Sequence, residues 1–247
     1  MYINFHSHHS LYPYNNTILL FNFLMEKICL YHPTTCLVAG PTGCGKTTFV
    51  IRVLESVNVI VPKPERVIWV YSEWQECYES LSSKVQIEFK KSCSDLYESL
   101  CSEVRNLIVL DDQMSNTAEE KRMMSTLFTK GSHHRNLTII YLVQNLFDQG
   151  VSSRTISLNS QYIVLFKNPR DVSQINFLAR QMYPKNSKFL VDSFEDATRA
   201  PHSYIFLNLT QACPNYLRVC SNIFPEEDTE VYIQISEKVP SELVYNG

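Results

Sequence analysis

The nine residues GPTGCGKTT at positions 40–48 constrain this chain more than any other stretch. The chain has 247 residues and only six glycines, and Gly40, Gly43 and Gly45 all fall within these nine. They satisfy G-x-x-x-x-G-K-[ST], the pattern of a loop that turns successive backbone N–H groups inward to hold phosphate. Such a turn needs backbone angles that a Cβ makes costly and that glycine adopts freely. The flanks supply the context that separates a working loop from a chance match. Thr35 to Ala39 (TCLVA) is a short apolar run of the kind that forms a buried strand. From Lys46 to Ser56, Phe49, Val50, Val53 and Leu54 recur at helical spacing. The order strand, glycine loop, helix is the one a phosphate-binding loop requires.

A loop of this kind assigns roles to its residues. Gly40, Pro41, Thr42, Gly43, Cys44, Gly45, Lys46, Thr47 and Thr48 form the expected binding stretch for the phosphates of ATP. Lys46 reaches the β- and γ-phosphates, the Thr47 hydroxyl binds Mg²⁺, and the helix beginning near Lys46 adds its positive end. Cys44 contributes through its backbone, and the positive surroundings are expected to lower its thiol pKa. The other half of such a site is acidic and sits at the end of a second buried strand. Leu107 to Asp112 (LIVLDD) fits, being apolar on both faces and ending in two aspartates. Asp111 is expected to hold Mg²⁺ through water, and Asp112 to orient or deprotonate the attacking water. Gln144 ends a further strand, LTIIYLV (137–143), and suits a sensor of the γ-phosphate. Arg135 and Arg154 are candidates for a cation supplied across a subunit interface.

The remaining chain continues the alternation. Strands are expected at Arg66 to Tyr71 (RVIWVY), Gln161 to Phe166, Ser203 to Leu209 and Leu217 to Ile223. Helices are expected at Thr117 to Lys130, Asp171 to Met182 and Lys188 to Thr198, with residues 73–103 helical in part. Strands alternating with helices predict an α/β fold with a mostly parallel sheet covered by helices on both faces, and the glycine loop places it among P-loop NTPases. In such sheets ligands sit at the carboxyl ends of the strands. The expected division is an N-terminal leader over 1–33, ordered in part, a P-loop ATPase domain over 34–225, and a loosely held acidic tail over 226–247.

Composition narrows the partners. A formal net charge of -3 argues against a generally basic nucleic-acid coat, but a local patch is compatible with it. The most basic cluster is Lys121, Arg122, Lys130, His133, His134 and Arg135. The eight cysteines make no C-x-x-C pair and show no zinc spacing. With no signal peptide and no apolar run long enough to span a bilayer, the expectation is an intracellular protein that is not secreted.

These segments together resemble the FtsK/HerA superfamily of ring-forming ATPases. The likeness is to the DNA-packaging ATPases of poxvirus-like and adenovirus-like viruses and of Maverick/Polinton transposons. It is carried by GPTGCGKTT, IWVYSEWQ, LIVLDDQM, KGSHHRN before IIYLVQN, and RTISLNSQYIVLFKNPRD, in order from about residue 34 to 225. The resemblance implies a homo-oligomeric ring that hydrolyses ATP to drive double-stranded DNA into a capsid, with capsid or portal proteins as partners. It implies a RecA-like (ASCE) sheet with a strand inserted between the P-loop strand and the acidic strand, Gln144 as sensor, and Arg135 or Arg154 acting across the interface. DNA contacts would be to phosphates, since a translocase ignores sequence. A helicase or DNA pump of the same superfamily and a nucleotide-binding scaffold that no longer hydrolyses are the alternatives. A P-loop kinase shares the glycine loop but needs an Arg-rich lid, of which the sequence shows no compact cluster. A GTPase needs N-K-x-D, which KNPRD at 167–171 does not supply.

Overall fold

The structure is a computed structural model that describes residues 2–4, 28–56, 58–92, 96–111, 123–124, 126–131, 136–147 and 151–234. Its centre is a 10-stranded sheet. The strands are β1 (Tyr2–Asn4), β3 (Thr35–Ala39), β5 (Arg66–Tyr71), β6 (Glu88–Lys90), β7 (Asn106–Asp111), β8 (Leu137–Val143), β9 (Tyr162–Phe166), β10 (Tyr204–Asn208), β11 (Val219–Ser221) and β12 (Glu230–Tyr232), while β2 (Leu30–Tyr31) and β4 (Ile60–Val61) form a small second sheet. The order across the large sheet is β1-β12-β11-β10-β9-β3-β8-β7-β5-β6. From β6 to β9 every neighbouring pair is parallel; from β9 onward through β10, β11, β12 and β1 every pair is antiparallel.

The alternation of side chains along each strand explains why both faces are covered. In β5, Val67 and Trp69 point into one core while Ile68 and Val70 point into the other; in β7, Leu107 and Val109 oppose Ile108 and Leu110 in the same way. One face is closed by α1 (Lys46–Glu55) through Phe49, Val50, Val53 and Leu54, and by α2 (Cys77–Ser82) through Tyr78 and Leu81. The other is closed by α3 (Leu96–Ser99), the turn of π-helix at Leu127–Gly131, α4 (Val151–Asn159), α5 (Ser173–Met182) and α6 (Ser187–Ala197). The P-loop NTPase architecture expected from the alternation is therefore present. No described helix is long and apolar enough to cross a membrane.

Two boundaries differ from expectation. Glu230–Tyr232, assigned to a loosely held tail, is a sheet strand, and Val231, Tyr232 and Ile233 are buried. Glu226 and Glu227 are ion-paired to Arg52 of α1 at 2.5 and 2.6 Å. The packed unit thus continues beyond 225 to at least 234. Tyr2–Asn4, in the expected leader, pairs with β12 as the outermost strand. The expected helix at 117–130 lies largely outside the described residues, apart from its end near Leu127.

Candidate active site at the carboxyl ends of β3, β7 and β8

The glycines of the loop are fixed by two different constraints. Gly43 and Gly45 hold φ of +77° and +110°, where a Cβ is strained whatever space surrounds it. Gly40 is fixed by crowding, since a Cβ there would lie 2.7 Å from both Cys44 Sγ and Phe166 Cβ. Gly45 then serves as N-cap of α1, whose first turn has no acidic residue. The backbone N–H groups and dipole of that helix end are thus left for an anion. The loop's entry is pinned to the neighbouring strand, because the Gly40 N–H donates to the Val143 carbonyl at 3.1 Å.

A cavity of about 540 Å³ opens beside this loop. From the loop and α1, Thr42, Gly43, Gly45, Lys46, Thr47 and Thr48 line it; from across the sheet, Asp111 and Gln144 do. The meeting follows from register. Ala39, the last residue of β3, pairs with Val143, the last of β8, and Asp111 pairs with Leu142. Three chain segments far apart in sequence therefore end at one level. Lys46 Nζ donates to the carbonyls of Gly40 and Pro41 at 2.7 and 3.1 Å, which holds the ammonium at the loop.

Asp111 is buried, and the Tyr78 hydroxyl donates to its Oδ2 at 2.7 Å. Burial, reinforced by that hydrogen bond, pushes the Tyr78 hydroxyl far above its usual range, so it remains a donor. Thr47 and Asp111 supply a hydroxyl and a carboxylate, both hard oxygen donors, to the same cavity. That donor set fits Mg²⁺, which takes one or two protein oxygens and fills its shell with phosphate and water.

The structure corrects one electrostatic expectation. The Cys44 thiol is raised rather than lowered, because burial outweighs the attraction of Lys46. Pro41, Cys44 and Gly40 shape the loop rather than line the cavity. Asp112 and Arg135 lie outside the described residues, as do Lys121, Arg122, His133 and His134. Arg154 belongs to α4 and Lys130 to the turn at Leu127–Gly131, but their side chains are likewise outside what is described.

Several lining residues were not singled out as site residues in the sequence. Gln75 comes from the connection before α2, and His202 and Tyr204 from the turn into β10 and its first residue. Arg52 also lines the cavity, but its guanidinium is held by Glu226 and Glu227 and lies 3.8 Å over the ring of Phe224. Its charge is already balanced, so among the described lining residues Lys46 is the ammonium that can meet an anion.

Comparison with known proteins adds three findings. A family model described as Zeta toxin matches residues 27–211. No curated protein sequence matches the chain. Among solved structures, the chain is similar to the genome packaging NTPase B204 from Sulfolobus turreted icosahedral virus 2. In its complex with ATP-gammaS the TM-score is 0.46 at 13% identity, over 72% of this chain and 93% of that one. In its complex with AMPPCP the TM-score is 0.44 at 13% identity, with the same coverage. The cytoplasmic domain of EssC is similar with a TM-score of 0.40 at 11% identity, over 57% of this chain and 32% of that one.

Proposed function

The chain belongs to the Zeta toxin family, and from that premise, a P-loop enzyme that hydrolyses or transfers nucleotide phosphate, we propose that it is an ATP-hydrolysing motor acting on double-stranded DNA. In this reading it works as a homo-oligomeric ring of the FtsK/HerA kind. Its work would be to package a viral or transposon genome into a capsid, with capsid or portal proteins as docking partners. The observation that carries the reading is the position of β8 between the P-loop strand β3 and the acidic strand β7. That strand ends in Gln144, which lines the cavity beside Lys46 and Asp111. The resemblance in sequence to packaging ATPases calls for such an inserted strand and such a sensor.

The chemistry asked of these residues is positioning and charge neutralisation. The loop N–H groups and Lys46 would hold the phosphates, and Thr47 and Asp111 would hold Mg²⁺. The metal would neutralise charge on the β- and γ-phosphates. Asp112 accepts the proton of the attacking water, and Gln144 orients that water or reports its loss. Arg135 or Arg154 of a neighbouring copy supplies a cation to the transferring phosphoryl group.

A second reading is favoured by the family itself, which is kinase-like. There the γ-phosphoryl group passes to an acceptor other than water. One experiment separates the readings: ATP labelled at the γ-phosphate, with and without long double-stranded DNA, for wild type, Lys46→Ala and Asp112→Asn. Release of labelled phosphate that rises with DNA and collapses in both variants supports the motor. Label that appears on a small-molecule acceptor and ignores DNA supports transfer. Strand separation in the same reactions favours a helicase, and tight ATP binding without turnover at ring-forming concentrations leaves a scaffold.

A further inference from the structure

The cavity has two sides, and the reading above uses one of them. β8 and β7 lie on one side of β3 and deliver Gln144 and Asp111. β9 and β10 lie on the other side and deliver Phe166, Tyr204 and, from the turn leading into β10, His202. A nucleoside triphosphate wrapped by the loop, with its terminal phosphate toward Asp111 and Gln144, must carry its ribose and base toward the β9–β10 side. At about 540 Å³ the cavity falls within the range that encloses a whole small ligand, so it has room for the nucleoside as well as the phosphates.

On that side His202 is unusual in backbone and in contact. Its φ is +63°, in the left-handed region. Among the described residues only Asn58, Asn136 and Asn222 share that region without being glycine, and for any residue with a Cβ it is an uncommon conformation. A strained conformation of this kind persists only where the surroundings fix it, and such positions gather at ligand sites. What fixes His202 is the phosphate loop. Its Nδ1 lies 3.2 Å from the Cys44 carbonyl oxygen, and its Cβ would lie 3.5 Å from a Cβ built on Gly45. A carbonyl only accepts, so Nδ1 carries the proton and Nε2 of the neutral ring is an acceptor. The ring is exposed, lines the cavity and is anchored through one nitrogen, which leaves its face and its second nitrogen for a ligand. Arg52, the nearby cation, is already engaged by Glu226 and Glu227.

We infer that His202 is a nucleoside-binding residue, holding the ribose and base of the nucleotide whose phosphates the loop wraps. Nε2 accepts from a donor on the nucleoside, and the ring covers it from the β10 side. The inference rests on the nucleotide-binding half of the proposal above and not on DNA translocation.

The test is calorimetric titration of the full chain with ATP and, separately, with inorganic tripolyphosphate, both with Mg²⁺. Wild type is compared with His202→Asn, His202→Ala and Lys46→Ala. His202→Asn matters most, because asparagine keeps the left-handed turn and can still donate to the Cys44 carbonyl. The expected result for His202→Asn is an ATP affinity weaker by about five- to tenfold, the size of one lost polar contact, with tripolyphosphate unchanged to about twofold. Lys46→Ala weakens both ligands. The inference is overturned if His202→Asn binds ATP like wild type, or if it loses tripolyphosphate as much as ATP, since His202 then only props the loop. A wild type that binds neither ligand overturns the nucleotide reading itself.

Discussion

Tyr78 and Asp111 form a buried pair that the sequence does not announce. A carboxylate removed from water needs donors, and the phenol hydroxyl supplies one at 2.7 Å. Replacing Tyr78 with Phe keeps the ring that packs against Trp69, at 5.2 Å between centroids, and removes only the donor. The expected outcome is a stability loss of about 1–3 kcal/mol and a rise of about tenfold in the Mg²⁺ concentration needed for half-maximal ATP binding. Thermal unfolding and Mg²⁺ titrations of ATP binding measure the two effects. A drop in stability with no change in the Mg²⁺ requirement would mean that the bond serves packing alone. Legibility at this scale divides by cause. Gly40, Gly43, Gly45, Lys46 and Thr47 are readable because a phosphate loop requires those residue types at fixed offsets. Tyr78 and His202 are not, because their partners lie 33 and 158 residues away and no local rule links them.

Strands that are apolar on both faces were the most legible elements. Thr35–Ala39, Arg66–Tyr71 and Leu137–Val143 stand where the sequence places them, because a buried parallel strand leaves an uninterrupted apolar run. At the antiparallel end β10 and β11 fall within the expected runs Ser203–Leu209 and Leu217–Ile223, but the outer strand β12 and the helix α4 were less readable. β12 has three residues, follows an acidic turn and is marked only by the short apolar run VYI at 231–233, and α4 is built from VSSRTISLN, a stretch of low helix propensity. Both exist through tertiary contacts. Ending the chain at 225 therefore removes a strand rather than a tail. It exposes the partners of Val231, Tyr232 and Ile233, each worth about 1.5–3 kcal/mol when buried, against a typical net stability of about 5–15 kcal/mol. A chain ending at 225 should lose its cooperative thermal transition, while one ending at 234 keeps it. The same segment carries a pH signature. Hydrogen bonding to Arg52 holds the Glu226 carboxyl below its ordinary value of 4.5. A depressed carboxyl contributes stability that is complete above the unfolded value and lost as pH falls through the folded one. The melting-temperature gap between wild type and Arg52→Leu should be constant above 4.5 and narrow below it. Part of the gap remains, because the stacking of Arg52 on Phe224 does not titrate. A gap independent of pH would show that the ion pair adds nothing to the stacking.

For the whole molecule, charge sets what kind of DNA contact is possible. With 22 basic and 25 acidic residues the chain's overall field repels a polyanion, so attraction must come from a local patch. Lys121, Arg122, Lys130 and Arg135 are the Lys and Arg residues of its most basic cluster. If each neutralises one phosphate, counterion release gives a log–log salt slope for DNA binding of at most about −3.6 per chain, at about 0.9 per contact. ATP bound at the loop is held by backbone N–H groups and a half-buried lysine, which bulk salt screens far less. DNA stimulation of hydrolysis should therefore fall steeply with salt while basal hydrolysis stays nearly flat. Replacing Lys121, Arg122 and Lys130 together by alanine, with Arg135 kept as a candidate cation of the hydrolysis site, should flatten most of the salt dependence and remove most of the stimulation without changing the basal rate. A slope that stays steep in that variant would put the DNA contact on another surface. Stimulation insensitive to salt in wild type would mean that DNA phosphates are not what the protein senses, and the motor reading would then yield to phosphoryl transfer.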